Sequence, residues 1–192
     1  FIRQFIGDQA RKMKEDGQSI YETLESQMND SPTEILVLPH FAGAATPYMD
    51  TGAKGAFVGL TLSHTTADLY RSVMEGITYE VRLNLKRLAQ AGVRVGSLKA
   101  SGGCAKSKVW LQMKADILGI PVIRLGNDEA GTVGGIMLTG LAEGMFASLD
   151  EAADTMIRPL QTYEPRSEMN RRYAECFDRY SRLYESVRPL IS

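Results

Sequence analysis

Between Val95 and Leu125 the chain follows the grammar of a parallel sheet. A short run from Val95 to Ala100 leads into the turn Ser101-Gly102-Gly103, then a helical stretch over 106–118. Gly119 stops it, and a second apolar run extends from Ile120 to Leu125. Trp110, Met113 and Ile117 share one face of the helical stretch. Strand, helix and strand in this order are expected to pair in parallel through a right-handed crossover, because the two twists bring the chain back onto the sheet only that way. The chain is therefore expected in the α/β class.

The rest of the pattern fits around this unit. Residues 1–33 read as mostly helical, with Ile20, Leu24 and Met28 on one face, until Asp30-Ser31-Pro32 breaks the period. Ile35 to Leu38 reads as a buried strand, and Ala56 to Leu60 as another. The Gly-, Pro- and Ala-rich stretch between them is a loop, long for a compact domain. From Thr66 to Ala91 the spacing predicts a long helix: Leu69, Val73, Ile77 and Val81 recur every four residues, continued by Leu85 and Leu88. Thr65 and Asp68 resemble a capping box, and Gly92 is a suitable stop. Further helices are predicted over 130–143, 149–157 and 167–187. The last carries Met169, Tyr173, Phe177, Tyr180, Tyr184 and Val187 at helical spacing. Gly131, Gly134, Gly135 and Gly140 cost about 1 kcal/mol each inside a helix. They imply either tight packing on the sheet or close approach of something else to the backbone.

Composition removes several function classes. With 22 basic and 23 acidic residues the net charge is −1, so neither nucleic acid nor an anionic membrane is an expected partner. No apolar run approaches the ~20 residues that span a bilayer. Two cysteines make no disulfide framework, and a reducing, cytoplasmic setting is expected. Two cysteines and two histidines at wide spacing make no zinc site, and no metal-ligating residue is assigned. The start at Phe1 rather than Met reads as a cut through a longer protein.

The best candidate for ligand contact is Ala100-Ser101-Gly102-Gly103-Cys104-Ala105-Lys106-Ser107. A glycine pair between strand and helix lets backbone approach a ligand with no Cβ between them, and a helix start offers unpaired N–H groups to an anion. The same tripeptide also serves plain turns, and the spacing is neither a dinucleotide fingerprint nor a P-loop. Cys104 reads as an activated thiolate or, more plainly, a small filler. His64 reads as a turn residue, Asp128-Glu129 as favourable charges before a helix, and Arg171-Arg172 as a solvated face.

The stretch GAFVGLTLSHTTADLYRSVME, Gly55 to Glu75, resembles the second signature of the FGGY carbohydrate kinases, a family that includes xylulokinase, gluconokinase, ribulokinase and glycerol kinase. Gly55, Phe57, Gly59, Leu60, Asp68, Leu69, Ser72, Val73, Met74 and Glu75 fit its pattern. Leu38-Pro39-His40-Phe41-Ala42-Gly43 with Thr46-Pro47 is similar to the family's Leu-Pro-aromatic-x-Gly-Glu loop, but Ala44 stands where Glu is usual. Ser101-Gly102-Gly103 with Ser107, Trp110, Gln112, Ala115 and Asp116 resembles the next block, and Glu129 with Gly134-Gly135 the one after.

The resemblance implies an actin-like ATPase (ribonuclease H-like) lobe, a mixed sheet flanked by helices. Residues 1–33 would be an N-terminal remnant of the same domain and 34–192 the nucleotide-binding lobe. It implies that Gly102, Gly103 and Cys104 lie against a nucleotide, that Ser107 contacts it, and that Ser63 belongs to the turn flanking adenine and ribose. A Gly is usual at the Ser63 position in glycerol kinase-like members. ATP and Mg²⁺ are the implied cofactors, Mg²⁺ held mainly by a lobe upstream of this chain. The sugar substrate, a pentulose such as xylulose from the lean that His64 gives, would also be held there. The family's catalytic Asp and its Gly-Thr-Ser segment lie upstream too, so no catalytic residue is assigned and the isolated chain is expected to be inactive. A homodimer is admitted. Two alternatives stay open, a non-catalytic actin-like nucleotide- or partner-binding module, which Ala44 favours, and an unrelated α/β domain. In the lobe reading, Phe41, Phe57 and Leu60 are expected to be partly uncovered.

Overall fold

The structure is a computed structural model and describes residues 1–126 and 129–191. It divides into two compact units, one of Phe1–Arg94 with the residues from Glu168 onward, the other of Val95–Ser167. Among the described residues, no helix is long and apolar enough to cross a membrane.

The first unit opens with short helices α1 (Ile2–Phe5), α2 (Gly7–Glu15) and α3 (Ile20–Ser26). Ser19 caps α3 by accepting from Glu22 N–H, and the helix ends before Met28. Ile20 and Leu24 are buried with Ala67, and Met28 packs at the margin. Strand β1 (Leu36–Leu38) pairs antiparallel with β2 (Ala56–Val58), Val37 opposite Phe57. Helix α4 (Thr66–Gln90) lies against β1. Its start is the expected capping box: Asp68 N–H donates to Thr65 Oγ1 (3.2 Å) and Thr65 N–H to Asp68 Oδ2 (2.8 Å).

The four-residue stripe read from the sequence is only partly the buried face of α4. Val73 is buried, but Ile77 is 37% exposed and Leu88 42%. The buried face instead runs through Arg71, Ser72, Met74, Glu75, Thr78 and Tyr79. It meets helix α8 (Ser167–Tyr180), which brings polar and aromatic partners of its own: Tyr79 packs on Tyr173, Phe177 and Tyr180. Arg71 Nε donates to Glu75 Oε1 (3.0 Å), and Arg71 Nη2 to Tyr173 Oη (2.7 Å). Thr33 donates to Glu75 from its hydroxyl (2.8 Å) and from its backbone N–H (3.2 Å).

Gly76 marks the closest approach of α4 to β1. A Cβ there would collide with the carbonyl oxygen of Val37. Helix propensity alone would make Gly76→Ala stabilising by roughly 1 kcal/mol, but overpacking costs about 1–3 kcal/mol. The collision is with backbone, which cannot rotate away, so Gly76→Ala is expected to lower the denaturant midpoint. A raised midpoint would show that α4 and β1 separate without cost.

The predicted single C-terminal helix is two, α8 and α9 (Leu183–Ile191). Ser181 Oγ turns back onto the Asp178 carbonyl (2.8 Å) at the break, a local bond that competes with helix continuation. Tyr173, Phe177, Tyr180 and Tyr184 are buried as expected; Val187 is only half-buried.

In the second unit β3 (Leu98–Ala100) and β4 (Val122–Leu125) pair in parallel, Leu98 opposite Val122. Helix α5 (Lys108–Leu118) connects them. A third strand, β5 (Pro159–Tyr163), joins β4 antiparallel, completing a mixed sheet in the order β3-β4-β5. The sequence did not announce β5. It is an edge strand begun by a proline and exposed along four of its five residues, so it carries no apolar alternation. Ala105, Leu111, Ala115, Val122 and Tyr163 form the core under the sheet. Helices α6 (Ala130–Ala142) and α7 (Leu149–Met156) pack on each other.

Candidate functional site

The glycine turn begins where β3 ends. Gly102 has φ +78°, a left-handed conformation that a side chain would strain. The chain does not pass directly into an α-helix, as the sequence suggested. Gly103–Lys106 forms one 3₁₀ turn, and α5 starts only at Lys108. The reason is the cap: Ser107 is extended and its Oγ accepts from Trp110 N–H (2.9 Å), which sets the first α-helical turn one residue beyond it. Ser107 thus already has a structural partner.

The 3₁₀ turn also reverses the expectation for Cys104. The filler is Ala105, which is buried in the core cluster, while Cys104 is turned outward and exposed. Gly103 is exposed as well, and a Cβ built on it would meet no described atom within 4 Å. The backbone at Gly103 is therefore bare on its outer side. It is open to a ligand, while Ala105, two residues on, is packed in the core.

Ser63 lies in the other unit. Its Oγ is 2.8 Å from Thr61 Oγ1, in a turn closed by His64 Nδ1 accepting from Thr61 N–H (2.9 Å). His64 is a turn residue, as its place before the cap suggested. The turn starts at Gly59, with φ +93°, where a Cβ would lie 3.0 Å from the Glu34 carbonyl oxygen. Phe41 and Leu60 are 55% and 53% exposed, in line with the expected uncovered surface, and Phe57 is half-buried. Gly102, Gly103, Cys104 and Ser107 thus share one turn of the second unit, and Ser63 sits on a turn of the first.

One basic residue near the glycine turn escaped the sequence reading. Lys114 Nζ stands 4.4 Å over the Trp110 ring, an i,i+4 pair whose spacing was visible. Burial holds its ammonium pKa below the ordinary value, opposed by the neighbouring Cys104. Asp116 is fully buried at the other end of α5. It accepts from Arg166 N–H (2.8 Å), Arg166 Nη2 (2.7 Å) and Gln112 Nε2 (3.1 Å).

Among the described residues, tight packing of α6 on a sheet is not seen at its glycines. Gly131, Gly134 and Gly135 have no described atom within 4 Å of a built Cβ, and only Gly140 is closely approached, by the Phe146 ring. Beside Gly135 a groove of about 570 Å³ opens, lined by Thr132, Ile136, Met145 and Met156. Glu129 precedes α6 without capping it through its side chain, and Asp128 lies outside the described residues. Arg171 and Arg172 are exposed on α8, as expected. Among the described residues no group of three or more His, Cys, Asp or Glu side chains converges as a metal site.

Comparison with known proteins identifies the family of the chain. The family model described as the FGGY family of carbohydrate kinases, C-terminal domain, matches residues 1–143. A xylulose kinase of Staphylococcus epidermidis is 33% identical over 156 residues, covering 81% of this chain and 32% of the relative. A glycerol kinase of Lactococcus lactis is 33% identical over 163 residues, 84% of this chain and 31% of its own length. The crystal structure of xylulose kinase from Rhodospirillum rubrum superposes with a TM-score of 0.80 at 24% identity, over 99% of this chain and 37% of that one. The chain thus spans about a third of the length of the curated relatives it matches. Its fold is the actin-like ATPase lobe of those kinases, a mixed sheet flanked by helices. The chain belongs to the FGGY family of carbohydrate kinases and carries the family's C-terminal domain.

Proposed function

We propose that this chain is the nucleotide-binding lobe of an ATP-dependent carbohydrate kinase, with the nucleotide on the backbone of Gly102 and Gly103. The observation that carries the reading is the bare outer face of Gly103, in a turn anchored in the core by Ala105. Cys104 and Ser107 border that face. Residues 1–33 belong to the same domain as 34–192. The family match supports ATP as phosphoryl donor and a small carbohydrate as acceptor. The relatives named for xylulose support a pentulose as the acceptor in this reading.

The described residues offer no carboxylate cluster for Mg²⁺. In this reading the ion arrives on the nucleotide phosphates, as Mg²⁺ commonly does, and the rest of the full-length protein holds it. Phosphoryl transfer needs a positioned hydroxyl, a base and charge neutralisation at the phosphates. This chain supplies the nucleotide's seat, and the isolated chain is expected to transfer no phosphate. The alternative of a non-catalytic nucleotide-binding module rests on Ala44, which is buried where Glu is usual.

Mg·ADP at about 100 times its dissociation constant is expected to add ~2.7 kcal/mol of stability, roughly 5–10 °C in melting temperature for a chain of this size. Gly103→Val puts its side chain into the open space above the turn. It should leave the unliganded melting temperature near wild type and abolish the shift. An equal shift in wild type and Gly103→Val would overturn the assignment to this turn. Full-length protein that binds nucleotide but phosphorylates no carbohydrate would favour the module.

A further inference from the structure

The loop over 39–55, which joins β1 to β2, is fastened to helices of the same unit. Asn84 Nδ2 of α4 donates to the Thr46 carbonyl (3.2 Å). Tyr184 Oη of α9 donates to Asp50 Oδ2 (2.6 Å), with Arg188 Nε 3.4 Å from the same oxygen. Tyr48 stacks on Tyr184 with ring centroids 3.9 Å apart. His40 lies at the centre, 5% exposed, edge-on to both tyrosines. Its Nε2 has no hydrogen-bond partner among the described residues, and the nearest carboxylate oxygen, Glu80 Oε1, is 3.7 Å away. That oxygen already accepts from Tyr180 of α8.

We infer that His40 is a proton-sensitive latch: a buried imidazole with an unpartnered Nε2, held just beyond hydrogen-bond reach of Glu80, fastens the 39–55 loop only while uncharged. A charged ring would have to give up water at an Nε2 that receives no direct hydrogen bond, and Glu80 at 3.7 Å, which burial biases toward its neutral form, offsets that cost only in part. The loop-released state would therefore take up the proton.

Burial lowers the His40 pKa from its ordinary 6.5, with Asp50 opposing. A lowered folded-state value means that the latch is fully made above 6.5 and is lost as pH falls through the window beneath it. The other groups around the ring do not imitate this. Burial pushes Tyr48 up to about 12 and raises Tyr180, while the bond to Asp50 raises Tyr184. Asp50, lowered by the Tyr184 bond, shares this sign but acts only as pH falls below its ordinary 3.8, so it does not imitate the latch between 3.8 and 6.5. Glu80 is raised by burial and acts with the opposite sign, stabilising the closed loop as it takes up a proton.

Amide hydrogen exchange of the 192-residue chain tests the latch at Ala44, Tyr48, Met49 and Asp50, whose N–H groups are bonded within the loop. After correction for intrinsic rates, loop opening should rise as pH falls below 6.5, by up to about tenfold per pH unit. The dependence should persist in Glu80→Gln and vanish in His40→Gln. Opening that ignores pH, or the same dependence in His40→Gln, overturns the proposal. An NMR titration of the wild-type ring, one of only two imidazoles in the chain, is a second test that needs no variant. A midpoint below 6.5 supports the latch, and one at or above 6.5 overturns it.

Discussion

Arg71→Met is expected to cost the first unit about 3–5 kcal/mol, the usual consequence of removing one partner from a buried ion pair. Arg71 and Glu75 are 3% and 1% exposed, so neither can fall back on water. The variant leaves the Glu75 carboxylate with Thr33 and the Tyr173 hydroxyl as its remaining donors, and leaves the Asn29 carbonyl without the guanidinium that now reaches it. At roughly 2–4 °C per kcal/mol for a chain of this length, the melting temperature should fall by about 6–20 °C. The loss also has a pH signature. Burial already raises the Glu75 pKa above its ordinary value, and Arg71 is the strongest influence pulling it back. Without Arg71 the folded-state value rises further. A raised carboxyl pKa destabilises the fold as pH rises through the interval above the unfolded value of 4.5. The defect should therefore be largest at neutral pH and shrink as pH falls toward 5. Adding Glu75→Gln to Arg71→Met should recover part of the loss, because no buried charge is then stranded. A defect of constant size across pH, with no recovery in the double variant, would mean that Arg71 contributes only packing.

Asp116→Ala is expected to destabilise the second unit by about 2–4 kcal/mol. The buried carboxylate accepts from the Arg166 backbone N–H, the Arg166 guanidinium and the Gln112 amide, tying α5 to the segment that follows β5. Its removal costs hydrogen bonds to a charged group, each worth roughly 1.5–3 kcal/mol. The Arg166 side chain is 41% exposed and regains water, which discounts its share. Asp116→Asn keeps the volume and one acceptor oxygen, so it should lie between wild type and alanine. Thermal melts of the three proteins give the order. Exchange protection should fall first at the amides of β5 and α5. Equal stability of alanine and wild type would show that the clamp is dispensable.

The signature positions that betrayed the family owe much of their legibility to backbone demands. Gly59 needs a positive φ beside the Glu34 carbonyl, and Asp68 closes the cap of α4. Such demands are local, so they leave a residue-type mark at a defined spacing, and the α4 start and the β3-turn-α5-β4 order were readable for that reason. The glycine turn was readable as well, but its inner geometry was not. Whether Cys104 or Ala105 faces the core depends on the 3₁₀ turn, which Ser107 imposes from downstream.

The α/β class, the capped start of α4, the glycine stops after α4 and α5, and the family were legible from the residues alone, because periodicity, caps and glycine positions are set by near neighbours along the chain. The polar buried face of α4, the edge strand β5 and the unpartnered Nε2 of His40 came from contacts between elements far apart in the chain. Arg71 meets Tyr173 across 102 residues and Tyr180 meets Glu80 across 100. A buried charge is tolerated only where distant partners converge on it, and no local pattern records where those partners will arrive.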